Sequence, residues 1–179
     1  MNTSLEDTIL SFDKRGISDL RPLLPCYFCK NAVDLIPAQP STIGIATGFY
    51  IISADAPETD GPPGAIAIGN ALEKIGHTVF YITDKYTIPI MKESISKNST
   101  IVDFPIVSVS ESLAFSKTII QEKSPELLIS VERCGASYDG VYRNMSDADI
   151  TSYTAKIDNL FNLLPKSIGI GDGGNEIGL

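Results

Sequence analysis

The chain has 179 residues, 43% hydrophobic and 20% charged, enough for one globular domain with a proper core. Its net charge of −8 excludes non-specific attraction to nucleic acid or an anionic membrane, and an anionic substrate would need local cations or a bound metal to offset that field. No apolar run approaches a transmembrane span, and the acidic start Met1-Asn2-Thr3-Ser4-Leu5-Glu6-Asp7 lacks signal-peptide or transit-peptide character, so the expected compartment is the cytoplasm.

Residues 1–40 read as a helical and irregular preamble. Ser4 or Asp7 is positioned to cap a short helix that Gly16 ends, and Pro22, Pro25, Pro37 and Pro40 punctuate the stretch after it. Cys26 and Cys29 form a single Cys-x-x-Cys with no second pair, a poor basis for zinc. Pro25 and Tyr27-Phe28 favour helix-entry packing there over a redox role. Residues 41–179 read as an α/β domain whose regular core begins at Thr42 with a strand from Ile43 to Phe49. Pro62 and Pro63 mark a helix start, Ala65, Ile66, Ile68, Ala71, Leu72 and Ile75 come next at helical spacing, and Gly76 supplies the stop.

A strand is predicted from His77 to Thr83, a weaker helix from Ile88 to Lys97, and a short strand from Ile106 to Val109. Ser110 and Glu111 open a helix reaching Glu122. A strand over Glu126–Val131, a helix over Ile150–Leu164 and a strand over Ser167–Ile170 complete the pattern. Strands alternating with helices imply a doubly wound, mostly parallel sheet with helices on both faces. The chain stops just past a glycine-rich turn, so the domain is expected to be truncated at its C-terminus.

Three of the apolar runs end in clusters of glycine and acidic residues: Asp55 to Gly64, Glu132 to Gly140, and Gly171 to Glu176. Ligands of open α/β sheets bind outside the carboxyl ends of the strands, so the three loops would build one carboxylate-rich pocket. Asp55, Glu58 and Asp60 suit a metal ion or a protonated ligand group better than a bare phosphate; the plainer reading of Asp60 is a helix cap. Glu132 and Arg133 emerge together from a strand, where one can face the pocket and the other the packing side. An arginine there can grip a carboxylate in two parallel hydrogen bonds, the alternative being an ion pair at the sheet edge. Asp139, Arg143 and Asn144 extend a long polar loop, and loops of that length are often functional. Asp172, Asn175 and Glu176 offer the hard oxygen ligands that suit magnesium or manganese. His77 is the single histidine and begins a strand, a structural position; Cys134 reads as a packing residue because no histidine partner is evident.

Four stretches together resemble the D-glutamate cyclase family: Thr47-Gly48-Phe49; Glu58-Thr59-Asp60-Gly61-Pro62-Pro63-Gly64-Ala65; Glu132-Arg133-Cys134-Gly135 with Asp139-Gly140 and Asn144-Met145; and Ile170-Gly171-Asp172-Gly173-Gly174-Asn175-Glu176-Ile177-Gly178. The resemblance runs from Thr42 to the end of the chain. It implies conversion of D-glutamate to 5-oxo-D-proline with loss of water. Animal members of the family are mitochondrial, whereas this chain looks like the shorter, stand-alone form. Placed on the matching motifs, the catalytic candidates are Glu58, Asp60, Glu132 and Arg133. The substrate-binding candidates are Thr59, Gly61, Asp139, Asn144, Gly173 and Asn175, and Asp172 and Glu176 are candidates for a divalent metal, magnesium or manganese. The expected partner is a small amino-acid substrate, with neither nucleic acid nor membrane, and a homo-oligomer is compatible with the sequence.

Two other readings compete. The Gly-Asp-Gly-x-Asn-Glu pattern resembles the magnesium loop of haloacid dehalogenase-like phosphatases, but Asp55-Ala56-Pro57-Glu58-Thr59 lacks their second aspartate. A non-catalytic amino-acid-binding module would keep the pocket without turnover. A dinucleotide site is disfavoured because no Gly-x-Gly-x-x-Gly comes after the first strand.

Overall fold

The computed structural model describes residues 4–11 and 13–178. The N-terminal segment holds α1 (Leu5–Leu10), a 3₁₀ turn over Ile17–Leu23 and α2 (Phe28–Asp34). Ser4 caps α1 in a reciprocal capping box with Asp7. Gly16, expected to end that helix, instead opens the 3₁₀ turn with φ +83°.

The domain core is built from β1 (Thr42–Gly48), a two-stranded ribbon of β2 (Tyr50–Ile51) and β3 (Ala56–Pro57), α3 (Gly61–Lys74), β4 (Thr78–Thr83), α4 (Ile88–Lys92), β5 (Thr100–Asp103), α5 (Val109–Lys123), β6 (Leu127–Arg133), α6 (Asp158–Phe161) and β7 (Ser167–Ile170). The five main strands lie in the order β5-β4-β1-β6-β7, and every neighbouring pair is parallel. The α/β doubly wound architecture expected from the sequence is therefore the observed one. Both faces of the sheet are covered, as parallel strands require. On one face Ile43, Ile45, Val79, Tyr81, Leu127 and Ile129 pack with Ala65 and Leu72 of α3 and Met91 of α4. On the other, Ala46, Phe80, Ile82 and Leu128 pack with Ile119 of α5 and Leu160 and Phe161 of α6. The chain winds outward from β1 through β4 to β5, then returns to β6 and β7. The strand order reverses at β1 and β6, so the crevice outside their carboxyl ends is the switch point where such sheets bind ligands.

Two predicted elements fall elsewhere. The edge strand is Thr100–Asp103, paired with β4, and not Ile106–Val109. Pro105 cannot donate to a ladder, and Ser108 caps α5 in a reciprocal box with Glu111, which draws Val109 into the helix. The helix expected over Ile150–Leu164 is reduced to a 3₁₀ turn at Thr151–Tyr153 and the single turn of α6. Between them the chain is held by tertiary bonds: the Arg133 guanidinium donates to the Ala155 carbonyl at 2.7 Å, and the Lys156 ammonium donates to the Val107 carbonyl at 2.8 Å. Ala155 and Ile157 are fully buried in that irregular connection. The helix expected to reach Lys97 stops at Lys92, and β1 stops at Gly48, whose φ of +107° leaves the strand region.

Candidate functional site

The site grows from an irregularity at the switch point. β1 and β6 run in register from Ile43↔Leu127 to Thr47↔Val131, and then Gly48 pairs with Arg133. Glu132 is the extra residue, a bulge with φ +47°. Left-handed backbone at a residue that is neither glycine nor asparagine is costly and clusters at functional sites. The bulge sends the side chains of Glu132 and Arg133 into different environments. Glu132 joins Asp172 and Glu176, and the three offer carboxylate oxygens all within 4.8 Å of one another. Arg133 goes inward.

The loop after β7 is shaped around Glu176, which is buried. Its carboxylate accepts the backbone N–H of Gly173 at 2.9 Å and of Asn175 at 3.0 Å. A Cβ on Gly173 would meet Glu176 Oε1 at 2.8 Å and the Met145 sulfur at 2.7 Å, so a larger residue would push these side-chain ends aside. The loop also docks on the end of β6: the Gly135 N–H donates to the Asn175 carbonyl at 3.0 Å and the Ile177 N–H to the Arg133 carbonyl at 2.8 Å. Asp172 is exposed and is ion-paired with Arg15 of the N-terminal segment.

The loop after β1 delivers the remaining acids. The β2–β3 ribbon turns the chain back so that the Glu58 N–H donates to the Phe49 carbonyl at 2.7 Å. Asp60 accepts the Gly61 N–H at 2.7 Å at the start of α3, while Thr59 is exposed on the same loop. Gly61 is buried directly against the bulge, and a Cβ there would sit 2.8 Å from both Glu132 Cβ and Thr47 Oγ1. Burial first, then the negative charges of Glu176, Asp172, Asp60 and Glu58, push the Glu132 carboxyl up to about 7. Burial and the charge of Asp60 also raise Glu58, partly offset by Arg15. The crevice therefore concentrates negative charge and favours a cation or a shared proton. Three hard oxygen donors at this spacing fit magnesium or manganese in kind.

Several candidates lie outside this cluster or are engaged in holding the fold. Arg133 is 1% exposed; Nη1 donates to Asp84 at 2.7 Å and to the Gly48 carbonyl at 2.9 Å, and Nη2 donates to Ala155. Its guanidinium is the internal brace of the sheet edge, not a free grip for a ligand. The sequence signal that separates the two roles would have been Asp84, at the end of β4. Asp139 forms a two-bond pair with Arg143, at 2.8 Å for each bond. Asn144 Oδ1 accepts the N–H groups of Ser146 and Ala148, closing its own turn. Asn175 donates to the Arg143 carbonyl at 2.8 Å and leaves its buried Oδ1 without a partner. The long loop after β6 is thus a folded unit over a small core of Phe49, Cys134, Tyr142 and Ile150.

Cys134 is buried there, and burial pushes its thiol up to about 12, as suits a packing residue. His77 accepts the Ser41 N–H through Nδ1 at 3.2 Å, the structural position expected. Asp55 is engaged by the Tyr50 hydroxyl on the ribbon. The group that sequence reasoning missed is Arg15, which precedes Asp172 by 157 residues and reaches the crevice from the segment before β1.

No helix among the described residues is long and apolar enough to cross a membrane. The family model for D-glutamate cyclase-like, C-terminal regions matches residues 5–179. The chain is 32% identical over 183 residues to human D-glutamate cyclase, mitochondrial; the match covers 92% of this chain and 29% of that protein. With a family-model match over nearly its whole length and 32% identity to that relative, this chain belongs to the D-glutamate cyclase-like family.

Proposed function

We propose that this protein is a lyase that converts D-glutamate to 5-oxo-D-proline, with the chemistry at the Glu132 bulge. The observation that carries the reading is the acidic crevice itself, in which the Glu132 carboxyl, pushed up to about 7, lies within 4.8 Å of carboxylate oxygens of Asp172 and Glu176. Ring closure forms a C–N bond between the α-nitrogen and the side-chain carboxyl carbon, and breaks a C–O bond. Two protons leave the nitrogen and depart on that oxygen as water. A group titrating near neutrality is suited to carry both, because it accepts and returns protons at the working pH. Glu132 is that group, and Glu58, raised by burial and by Asp60, is the second carrier beside the entering ammonium.

Asp172 and Glu176 would hold magnesium or manganese, which supplies Lewis-acid polarisation of the reacting carboxyl. The N–H bonds from Gly173 and Asn175 fix the Glu176 carboxylate in place. Because the attack is intramolecular, holding the folded-back conformer of the substrate contributes much of the acceleration. The negative crevice favours the ammonium end, with Thr59, Gly61, Gly173 and Asn175 as the substrate-binding candidates on the loops around it.

The test is mass-spectrometric detection of 5-oxoproline from D- and L-glutamate, with and without magnesium or manganese. Product from the D-isomer is expected. Glu132→Gln should lower kcat by about 10²–10⁴-fold, the usual contribution of a positioned acid–base group. Asp172→Asn should weaken the metal dependence. Saturable D-glutamate binding without product would make the chain an amino-acid-binding module instead.

A further inference from the structure

We propose that Arg15 is the residue that selects a substrate carrying a free α-carboxylate, by gripping that carboxylate at the rim of the crevice. This rests on the cyclase reading above. The crevice gathers the acids Glu58, Asp60, Glu132, Asp172 and Glu176, yet D-glutamate brings two carboxylates of its own, and one of them takes no part in ring closure. That group needs a cation. The chain has four arginines. Arg21 is engaged with Asp7 and with the carbonyls of Pro25 and Cys26, Arg133 is buried on Asp84, and Arg143 holds Asp139 and Asp147. Arg15 alone among the four has its ion pair with an acid of the crevice, Asp172.

Its side chain remains 46% exposed, and the bond to Asp172 uses one terminal nitrogen. A guanidinium has five N–H donors in a planar fork, so one edge can stay on Asp172 while another receives a carboxylate in two parallel bonds. The backbone beneath it is held in a tight turn. Asp13 accepts the Arg15 N–H at 2.8 Å and the Ser18 N–H at 2.7 Å, and Gly16 turns the chain with φ +83°. Asp172 thereby becomes the positioning partner of Arg15, and the N-terminal segment becomes a wall of the site. Arg15 moves no proton; it fixes the non-reacting end so that the α-nitrogen faces the side-chain carboxyl.

The experiment compares D-glutamate with its α-amide, which keeps the amine and the reacting carboxyl but lacks the charge, using the full chain and its Arg15→Gln and Arg15→Lys variants. Wild type should prefer D-glutamate. Arg15→Gln should raise KM for D-glutamate by about 10–100-fold, the range of a lost charge-assisted pair. The change in kcat should be smaller, KM for the α-amide should stay unchanged, and Arg15→Lys should recover part of the preference. A purely structural role would move both substrates together. Equal preference for the two substrates in wild type, or unchanged KM for D-glutamate in Arg15→Gln, overturns the assignment of Arg15 while leaving the cyclase reading intact. Absence of product from wild type with either substrate overturns both.

Discussion

Glu132 and Arg133 are adjacent in the chain and occupy opposite electrostatic situations. Arg133 is buried with a carboxylate and two carbonyls as partners, so its charge is neutralised within the fold. Glu132 sits one residue earlier, on the outer side of the same bulge, among like charges of which only Asp172 is ion-paired, with Arg15. A buried charge persists where the protein supplies its partners; a crevice where acids outnumber cations marks a candidate functional site. The same backbone irregularity therefore buries one side chain as a brace and places its neighbour in the acidic crevice.

The comparison breaks most severely on the Arg133 side. Arg133→Ala leaves Asp84 buried without its cation and should cost about 3–5 kcal/mol in urea denaturation, with loss of activity resulting from unfolding. A loss below about 1 kcal/mol would mean that the brace is not holding β1, β4 and the 154–157 connection together.

Gly61→Ala tests the contact between the two regions, because the added Cβ would press on Glu132 Cβ and Thr47 Oγ1 at 2.8 Å. A loss of about 1–3 kcal/mol is expected from such overpacking, with Glu132 displaced. Thermal unfolding together with kcat would show both effects.

The smallest effect sharpens the contrast by changing sign. Glu132 binds its proton more tightly in the folded chain, near 7, than at its ordinary value of 4.5. That contribution to stability is fully present below about pH 4.5 and is lost as pH rises through about 7. Glu132→Gln should therefore be more stable than wild type above about pH 7, by on the order of 1–2 kcal/mol once partial exposure is discounted. The difference should vanish near about pH 4.5. A variant less stable than wild type at every pH would show that Glu132 is bonded, not strained by its neighbours.

Much of this was legible in the residues themselves. Alternating apolar runs and helical spacings determined the doubly wound parallel sheet, because period and capping signals are local. Glycine and acid clusters after β1, β6 and β7 identified the loops of the site, because a loop at a carboxyl end of a parallel strand has one place to go. Local signals failed where a segment's partners were remote. Thr154 to Ile157 has helical neighbours but is held out of the helix by Arg133 and by the core. Ile106 to Val109 has β-branched residues but yields to a capping box. Which of Glu132 and Arg133 faced the crevice depended on a one-residue bulge that no spacing announces, and on Asp84, which only the β1–β4 pairing brings near. Arg15 could be found only in three dimensions. An ion pair across 157 residues depends on how the N-terminal segment packs, and the sequence carries no period or motif for that.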